Sequence, residues 1–313
     1  TGRGGYKGQK EGTPGTVTEF NNEISRLGKA GQWQEALTTL ETMQNAGFAP
    51  TQVSYNALMS ALTKNGQWKQ SIDLFNRVFR GGVDGGGKEL KPDSFSYAAA
   101  LSACAKGRKW QKAFSLFDEM EKAGVEANEF TYSSLMTACE KSDQSAKAIE
   151  VFEQMQERGI KPNVYTYTSA ISACENGGKW EQALGYLERM TLEGILPTIH
   201  AYSAAISACE KGEQARPALG LLERMKNAKI EPDVIVYSAA IGACGKTGLW
   251  EPALKLFQEM EDKGLTPDLV TYSTMIKVYE RSGEWQRALE VMNTMQAKKI
   301  TPNVITYSTA ISA

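Results

Sequence analysis

The phrase Pro-Asn-Val-Tyr-Thr-Tyr at residues 162–167 returns, with small changes, about every 35 residues through nearly the whole chain. Its aromatic anchors are Phe20, Tyr55, Tyr97, Tyr132, Tyr167, Tyr202, Tyr237, Tyr272 and Tyr307. Every interval is 35 residues except the 42 between Tyr55 and Tyr97. A fixed period of this size means a solenoid, in which each unit buries its apolar face only against its neighbours.

Rare residues obey the same register. All six tryptophans (Trp33, Trp68, Trp110, Trp180, Trp250, Trp285) fall 13 residues after an anchor. Met43, Met120, Met155, Met190, Met225, Met260 and Met295 fall ten further on, with Val78 in that place in the second repeat. All five cysteines (Cys104, Cys139, Cys174, Cys209, Cys244) occupy one equivalent site.

Within the unit 164–198, Tyr167, Ile171 and Cys174 mark one face of a helix. Asn176-Gly177-Gly178 breaks it. Trp180, Ala183, Leu187 and Met190 give a second apolar stripe, closed by Gly194 and Pro197. The expected fold is all-α: a right-handed superhelical solenoid of eight helix-turn-helix repeats plus a truncated ninth. The expected boundaries are 17–51, 52–93 with a Gly-rich insertion at 81–87, 94–128, 129–163, 164–198, 199–233, 234–268 and 269–303, then 304–313. Residues 1–16 read as a flexible Gly-rich tail carrying Arg3, Lys7 and Lys10. Small residues at Ala36, Ala113, Ala148, Ala183, Ala218, Ala253 and Ala288, with Ser71 as the exception, let two helices approach closely. The tryptophans are expected to wedge between units as core packing.

Charge and cysteine usage exclude several classes. With 35 basic and 36 acidic residues the net charge is −1, which argues against indiscriminate nucleic-acid binding. No run approaches the ~18 apolar residues of a membrane helix. Equivalent cysteines of stacked repeats sit roughly 10 Å apart, beyond the ~7 Å Cα limit of a disulfide. With a single histidine and no close cysteine pair, neither a metal site nor a cofactor is expected. No Ser-His-Asp, Cys-His or nuclease pattern appears, so no enzyme activity is expected. Residues 82–89 imitate a phosphate loop, but Glu89 replaces the magnesium-binding hydroxyl and no strand precedes it. The chain begins without Met and stops inside an apolar helical pattern, so a fragment of a longer protein is expected.

A 35-residue helical pair ending in Pro-Asp or Pro-Asn and reopening with Val-x-Thr-Tyr resembles the pentatricopeptide repeat. Residues 232–238 and 267–273 are close matches, and the resemblance covers about residues 17–313. The even spacing resembles the pure (P) class. The resemblance implies single-stranded RNA as partner, bound on the face of the first helices at one base per repeat. It assigns base reading to the residue after each anchor together with the last residue of the same repeat. These pairs are Asn21 with Thr51, Asn56 with Asp93, Ala98 with Asn128, and Ser133 with Asn163. The remaining four are Thr168 with Thr198, Ser203 with Asp233, Ser238 with Asp268, and Ser273 with Asn303. The implied preference, 5′ to 3′, is pyrimidine, U, undefined, A, purine, G, G, A. Ala98 has no hydrogen-bonding side chain, and Thr51 and Thr198 replace the usual Asp or Asn. Helix capping is the competing reading of these residues.

The resemblance places base stacking two residues before each anchor, at Thr18, Val53, Phe95, Phe130, Tyr165, His200, Ile235 and Val270; an ordinary core row is the alternative. Nine residues after the anchors stand Lys29, Lys64, Lys106, Lys141, Asn176, Lys211, Lys246 and Arg281; all but Asn176 are cationic, a ladder suited to phosphates that also complements the helix dipole. The expectation is a sequence-selective RNA binder in transcript stabilisation, processing or translation. Its location, an organelle with the plastid ahead of the mitochondrion, comes from the resemblance alone. Protein partners in an organellar complex are a further expectation; membrane insertion and a small-molecule substrate are not. The rivals are a protein-binding helical-repeat subunit, and the RNA-targeting arm of an enzyme whose catalytic domain lies beyond Ala313.

Overall fold

The computed structural model describes residues 15–81 and 90–312. The phosphate-loop-like stretch and nearly all of the N-terminal tail, with Arg3, Lys7 and Lys10, lie outside the described residues. Among the described residues every regular element is an α-helix. The first helices of the repeats are α1 (Val17–Lys29), α3 (Gln52–Lys64), α5 (Ser94–Lys106), α7 (Glu129–Lys141), α9 (Val164–Asn176), α11 (Ile199–Lys211), α13 (Val234–Thr247), α15 (Leu269–Ser282) and α17 (Val304–Ser312). The second helices are α2 (Trp33–Asn45), α4 (Trp68–Phe79), α6 (Trp110–Lys122), α8 (Ser145–Glu157), α10 (Trp180–Leu192), α12 (Ala215–Asn227), α14 (Trp250–Asp262) and α16 (Trp285–Ala297).

The two helix types start for different reasons. First helices are opened by side-chain caps. Asp93 accepts from the Ser96 amide at 2.8 Å, and Asp268 from the Thr271 amide at 2.8 Å. Asn128 and Asn163 form reciprocal boxes with Thr131 and Thr166. Each such cap contributes about 1 kcal/mol. No second helix has a side-chain cap bond. Those helices are held by packing, and a left-handed residue ends each turn, for example Gly178 at φ +68° or Arg108 at φ +54°.

The chain forms two compact units, Thr1–Ser142 and Asp143–Ala313. In the first, α1, α3, α5 and α7 pack in series, and α2, α4 and α6 each lie on their own first helix and the next one. In the second, α9, α11, α13, α15 and α17 pack in series, with α10, α12, α14 and α16 bridging successive first helices. Second helices reach one another through long side chains, such as Arg80 to Glu119 and Lys226 to Glu259. First helices therefore form the tight row of each unit. A Cβ added at Gly28 would fall 2.4 Å from Cβ of Ala61, showing how closely α1 and α3 approach.

The core lies between repeats. Tyr97, Tyr132, Tyr167 and Tyr272 are buried, each against a phenylalanine of the preceding second helix. The ring centroids of Phe75–Tyr97, Phe117–Tyr132, Phe152–Tyr167 and Phe257–Tyr272 lie 5.1–5.8 Å apart. Burying a side chain of this size contributes roughly 1.5–3 kcal/mol. The methionine and alanine rows are fully buried. Ser71, the exception in the alanine row, donates to the Met59 carbonyl and bonds the Thr63 hydroxyl.

The tryptophans depart from the core expectation. Trp33, Trp68, Trp110, Trp180 and Trp250 are only half-buried, and Trp285 is 52% exposed. The reason is position. Each opens a second helix, and Trp68 and Trp180 lie flat across the C-cap glycine of the next first helix. A Cβ on Gly107 would meet Trp68 at 2.6 Å, and one on Gly212 would meet Trp180 at 2.3 Å. The wedge between units is present, with its outer side open to solvent.

Candidate nucleic-acid interface

The second residue of α1, α3, α5, α7, α9, α11, α13 and α15 points away from the core. Val53, Phe95, Phe130, Tyr165, Ile235 and Val270 are 61–75% exposed, and Thr18 and His200 are exposed as well. The geometry follows from helix pitch. Two residues along an α-helix rotate the side chain by about 200°, so a buried anchor at the fourth position turns the second position outward. A core row is excluded. What remains is a series of rings and branched apolar groups presented to solvent from successive helix starts.

The residues after the anchors (Asn21, Asn56, Ala98, Ser133, Thr168, Ser203, Ser238, Ser273) are all half-buried beside this series. Their sequence-paired partners are the caps of the next first helix: Thr51, Asp93, Asn128, Asn163, Thr198, Asp233, Asp268 and Asn303. Capping is thus a real duty of the second set. It also fixes their side chains next to the preceding repeat. Asn56 Nδ2 donates to Asp93 Oδ1 at 3.3 Å. Ser238 meets Asp268 through Thr271: the two hydroxyls are 2.5 Å apart, and Thr271 Oγ1 donates to Asp268 Oδ1 at 2.8 Å. Ser273, Thr306 and Asn303 repeat this arrangement at 2.9 and 2.8 Å.

Four of the remaining pairs are not joined. Among the described residues no side-chain hydrogen bond links Asn21 with Thr51, Thr168 with Thr198, or Ser203 with Asp233, and Ala98 has nothing to offer Asn128. Thr168 turns its hydroxyl back to the Val164 carbonyl at 2.7 Å. Ser133 and Asn163 lie in different units. The amide oxygens of Asn21 and Asn56 are out of solvent and accept no hydrogen bond.

The ladder cations stand at the ends of first helices, where they complement the helix dipole. Lys29, Lys64 and Lys106 are exposed, Lys141 is half-buried, and none of them makes an ion pair among the described residues. The other three are engaged. Lys211 bonds Glu175 at 2.9 Å, Lys246 lies 3.4 Å from Glu210, and Arg281 donates to the carbonyls of Gly245 and Lys246. Each reaches the end of the preceding first helix. Beyond dipole complementation, the ladder therefore ties successive first helices together, a share that the sequence does not announce.

The chemistry of the cysteines is inert. All five are buried and none is in a disulfide. Burial pushes the thiols of Cys104, Cys209 and Cys244 up to about 11 and that of Cys174 up to about 12. No metal-binding cluster of His, Cys, Asp and Glu occurs among the described residues. No helix among them is long and apolar enough to cross a membrane.

Sequence profiles agree with the repeat geometry. The profile described as the pentacotripeptide-repeat region of PRORP matches residues 87–248, just over half the chain. The pentatricopeptide repeat domain profile matches 15–65 and 255–313, and the PPR repeat profile matches 53–83 and 235–265. No curated protein sequence matches the chain. Among solved structures, PPR10 in complex with an 18-nt psaJ RNA element is 24% identical with a TM-score of 0.75. That alignment covers 96% of this chain and 43% of PPR10, so the chain spans well under half the length of that protein. PPR10 from maize aligns at 26% identity, with a TM-score of 0.59 and coverages of 96% and 42%. The PPR domain of Arabidopsis thaliana protein-only RNase P 1, in complex with tRNA, aligns at 20% identity and a TM-score of 0.52, covering 57% of this chain and 95% of that one. On its repeat geometry and these profiles, the chain belongs to the pentatricopeptide-repeat family.

Proposed function

We propose that this chain binds single-stranded RNA, one base per repeat, as a P-class member of the family, and that it selects bases through the paired residues. The observation that carries the reading is the presentation of exposed, flat or branched side chains at the first-helix starts of the eight full repeats, beside half-buried hydrogen-bonding groups. Stacking on the aromatic members, Phe95, Phe130, Tyr165 and His200, contributes roughly 1–3 kcal/mol per base and is indifferent to sequence. Choice then falls to the pairs, of which Asn56 with Asp93 and Ser238 with Asp268 are the best organised. The likeness to PPR10 and to the PPR domain of protein-only RNase P 1, both solved with RNA, supports the same reading.

The role is occlusion rather than catalysis. Covering about eight nucleotides, one for each full repeat, blocks exonucleases or inhibitory RNA structure and so favours transcript stability, processing or translation. The setting is an organelle, plastid ahead of mitochondrion, a reading that rests on family membership. The ion pairs within the ladder favour one alternative, a protein-binding scaffold, because cations committed to Glu175 and Glu210 are not waiting for phosphate.

Fluorescence anisotropy separates these readings. A labelled 5′-UUAAAGGA-3′ RNA is titrated beside a shuffled RNA and the matching DNA at physiological salt. Preference for the matched RNA by tenfold or more, about 1.4 kcal/mol, is expected. Equal binding of both RNAs removes sequence selection, and no binding moves the assignment to the protein scaffold.

A further inference from the structure

We infer that Thr271 and Thr306, each immediately before an anchor aromatic and third in its first helix, are specificity-determining positioning residues. Each bonds the base reader of the preceding repeat, Ser238 or Ser273, and fixes its hydrogen-bonding direction. The inference rests on the RNA reading of this surface.

The argument is one of proton bookkeeping. Thr271 Oγ1 lies 2.8 Å from Asp268 Oδ1. An ionised carboxylate only accepts, so Thr271 spends its one proton there. The 2.5 Å contact between Ser238 Oγ and Thr271 Oγ1 must then use the Ser238 proton. Ser238 is left with lone pairs alone to offer a base, and Asp268 Oδ2 is likewise an acceptor. Two acceptors suit guanine, whose Watson–Crick edge presents the N1–H and N2–H donors side by side. They oppose adenine, whose N1 is itself an acceptor.

The preceding repeat supplies a built-in contrast. Its readers, Ser203 and Asp233, are the same residue types, but Val236 stands where Thr271 would be. Asp233 still caps its helix, accepting from the Val236 amide at 2.9 Å. Ser203 has no hydrogen bond to its side chain among the described residues, and its hydroxyl can turn to donate or accept. Val236 and Thr271 are both fully buried, so the two side chains differ in chemistry and not in place. Two sites with one nominal code should therefore differ in stringency.

The test uses anisotropy with 5′-UUAAAGGA-3′ and its G-to-A versions at the sixth or seventh base. In the parent chain the G-over-A ratio is expected to be about tenfold larger at the seventh base than at the sixth, the scale of one mispaired polar contact. Thr271→Val should bring the seventh ratio down to that of the sixth, Thr271→Ser should keep it, and Val236→Thr should raise the sixth. Valine already occupies this position in the neighbouring repeat, so the fold tolerates it. Selective RNA binding with ratios that ignore all three substitutions would overturn the inference alone. Failure of the parent chain to bind RNA would overturn the RNA reading and this inference with it.

Discussion

Tyr165 and Tyr167 are the same amino acid two positions apart, and the structure assigns them opposite consequences on truncation. Tyr167 is fully buried, with its ring 5.1 Å from that of Phe152. Replacing it by alanine empties a ring-sized volume between α8 and α9, and losses for large aromatic truncations run about 3–5 kcal/mol. Tyr165 is 75% exposed. Tyr165→Ala removes little packing and should fall within about 0.5 kcal/mol of the parent, as surface changes do. In RNA binding the order reverses. Loss of one stacking platform should cost roughly 1–3 kcal/mol, or about 5- to 150-fold in affinity, whatever the base. Urea unfolding followed by circular dichroism reads the first quantity, and anisotropy with matched and shuffled RNA reads the second. If Tyr165→Ala lowered stability as Tyr167→Ala does, or left affinity for both RNAs unchanged, the assignment of this row to stacking would be wrong.

Three further expectations follow from the packing and the charges. Gly212→Ala would set a Cβ 2.3 Å from the Trp180 ring and should lower stability by about 1–3 kcal/mol. Gly185→Ala, in open space on α10, should raise it by roughly 0.5–1 kcal/mol; urea midpoints moving in the same direction would contradict the wedge. Burial holds the Cys104, Cys209 and Cys244 thiols protonated to about 11 against the usual 9. Above pH 9 the unfolded chain gives up these protons while the folded chain keeps them, so stability should fall between pH 9 and 11. A variant with alanine at these cysteines should show a flatter decline, and identical slopes would refute the buried-thiol account. Lys106 is exposed and makes no ion pair among the described residues. Lys106→Ala should reduce the slope of log affinity against log salt by about 0.7, and an unaltered slope would remove it from the phosphate track.

The helical architecture was legible because the repeat sorts rare residues into columns. Tyr167, Ala183 and Met190 each announce a buried row, and the structure buries them in the eight full repeats, while Tyr307 on the last helix is 43% exposed. Trp180 was read less well. Its column was plain, but nothing local says that its ring rests on Gly212, 32 residues away, and leaves one side wet. The same limit hid the partner of Lys211. A lysine at a helix end predicts dipole complementation, whereas its bond to Glu175 depends on how one first helix stacks on the next. The hydroxyls of Thr271 and Thr306 stood in a visible column of Ser and Thr before the anchors. Nothing in its spacing assigns that column a role. Only the approach of the preceding helix turns it into a bridge to Ser238 and Ser273.

The caps that open the first helices carry a consequence for how such a chain can change over time. The residue closing each repeat must start the next helix, and few side chains do that well: Asp, Asn, Ser and Thr, with glycine close behind. Folding therefore restricts the vocabulary at this position before any ligand is consulted. Asp93, Asn128, Asn163, Thr198, Asp233 and Asp268 are drawn from that short list, and each accepts a backbone amide or stands in a cap geometry. Exchanges within the list alter which groups face outward at little energetic expense. An exchange outside it loses about 1 kcal/mol of helix initiation. A lineage of such proteins can thus drift readily among a few recognition states while larger side chains are refused at the same spot by the backbone itself.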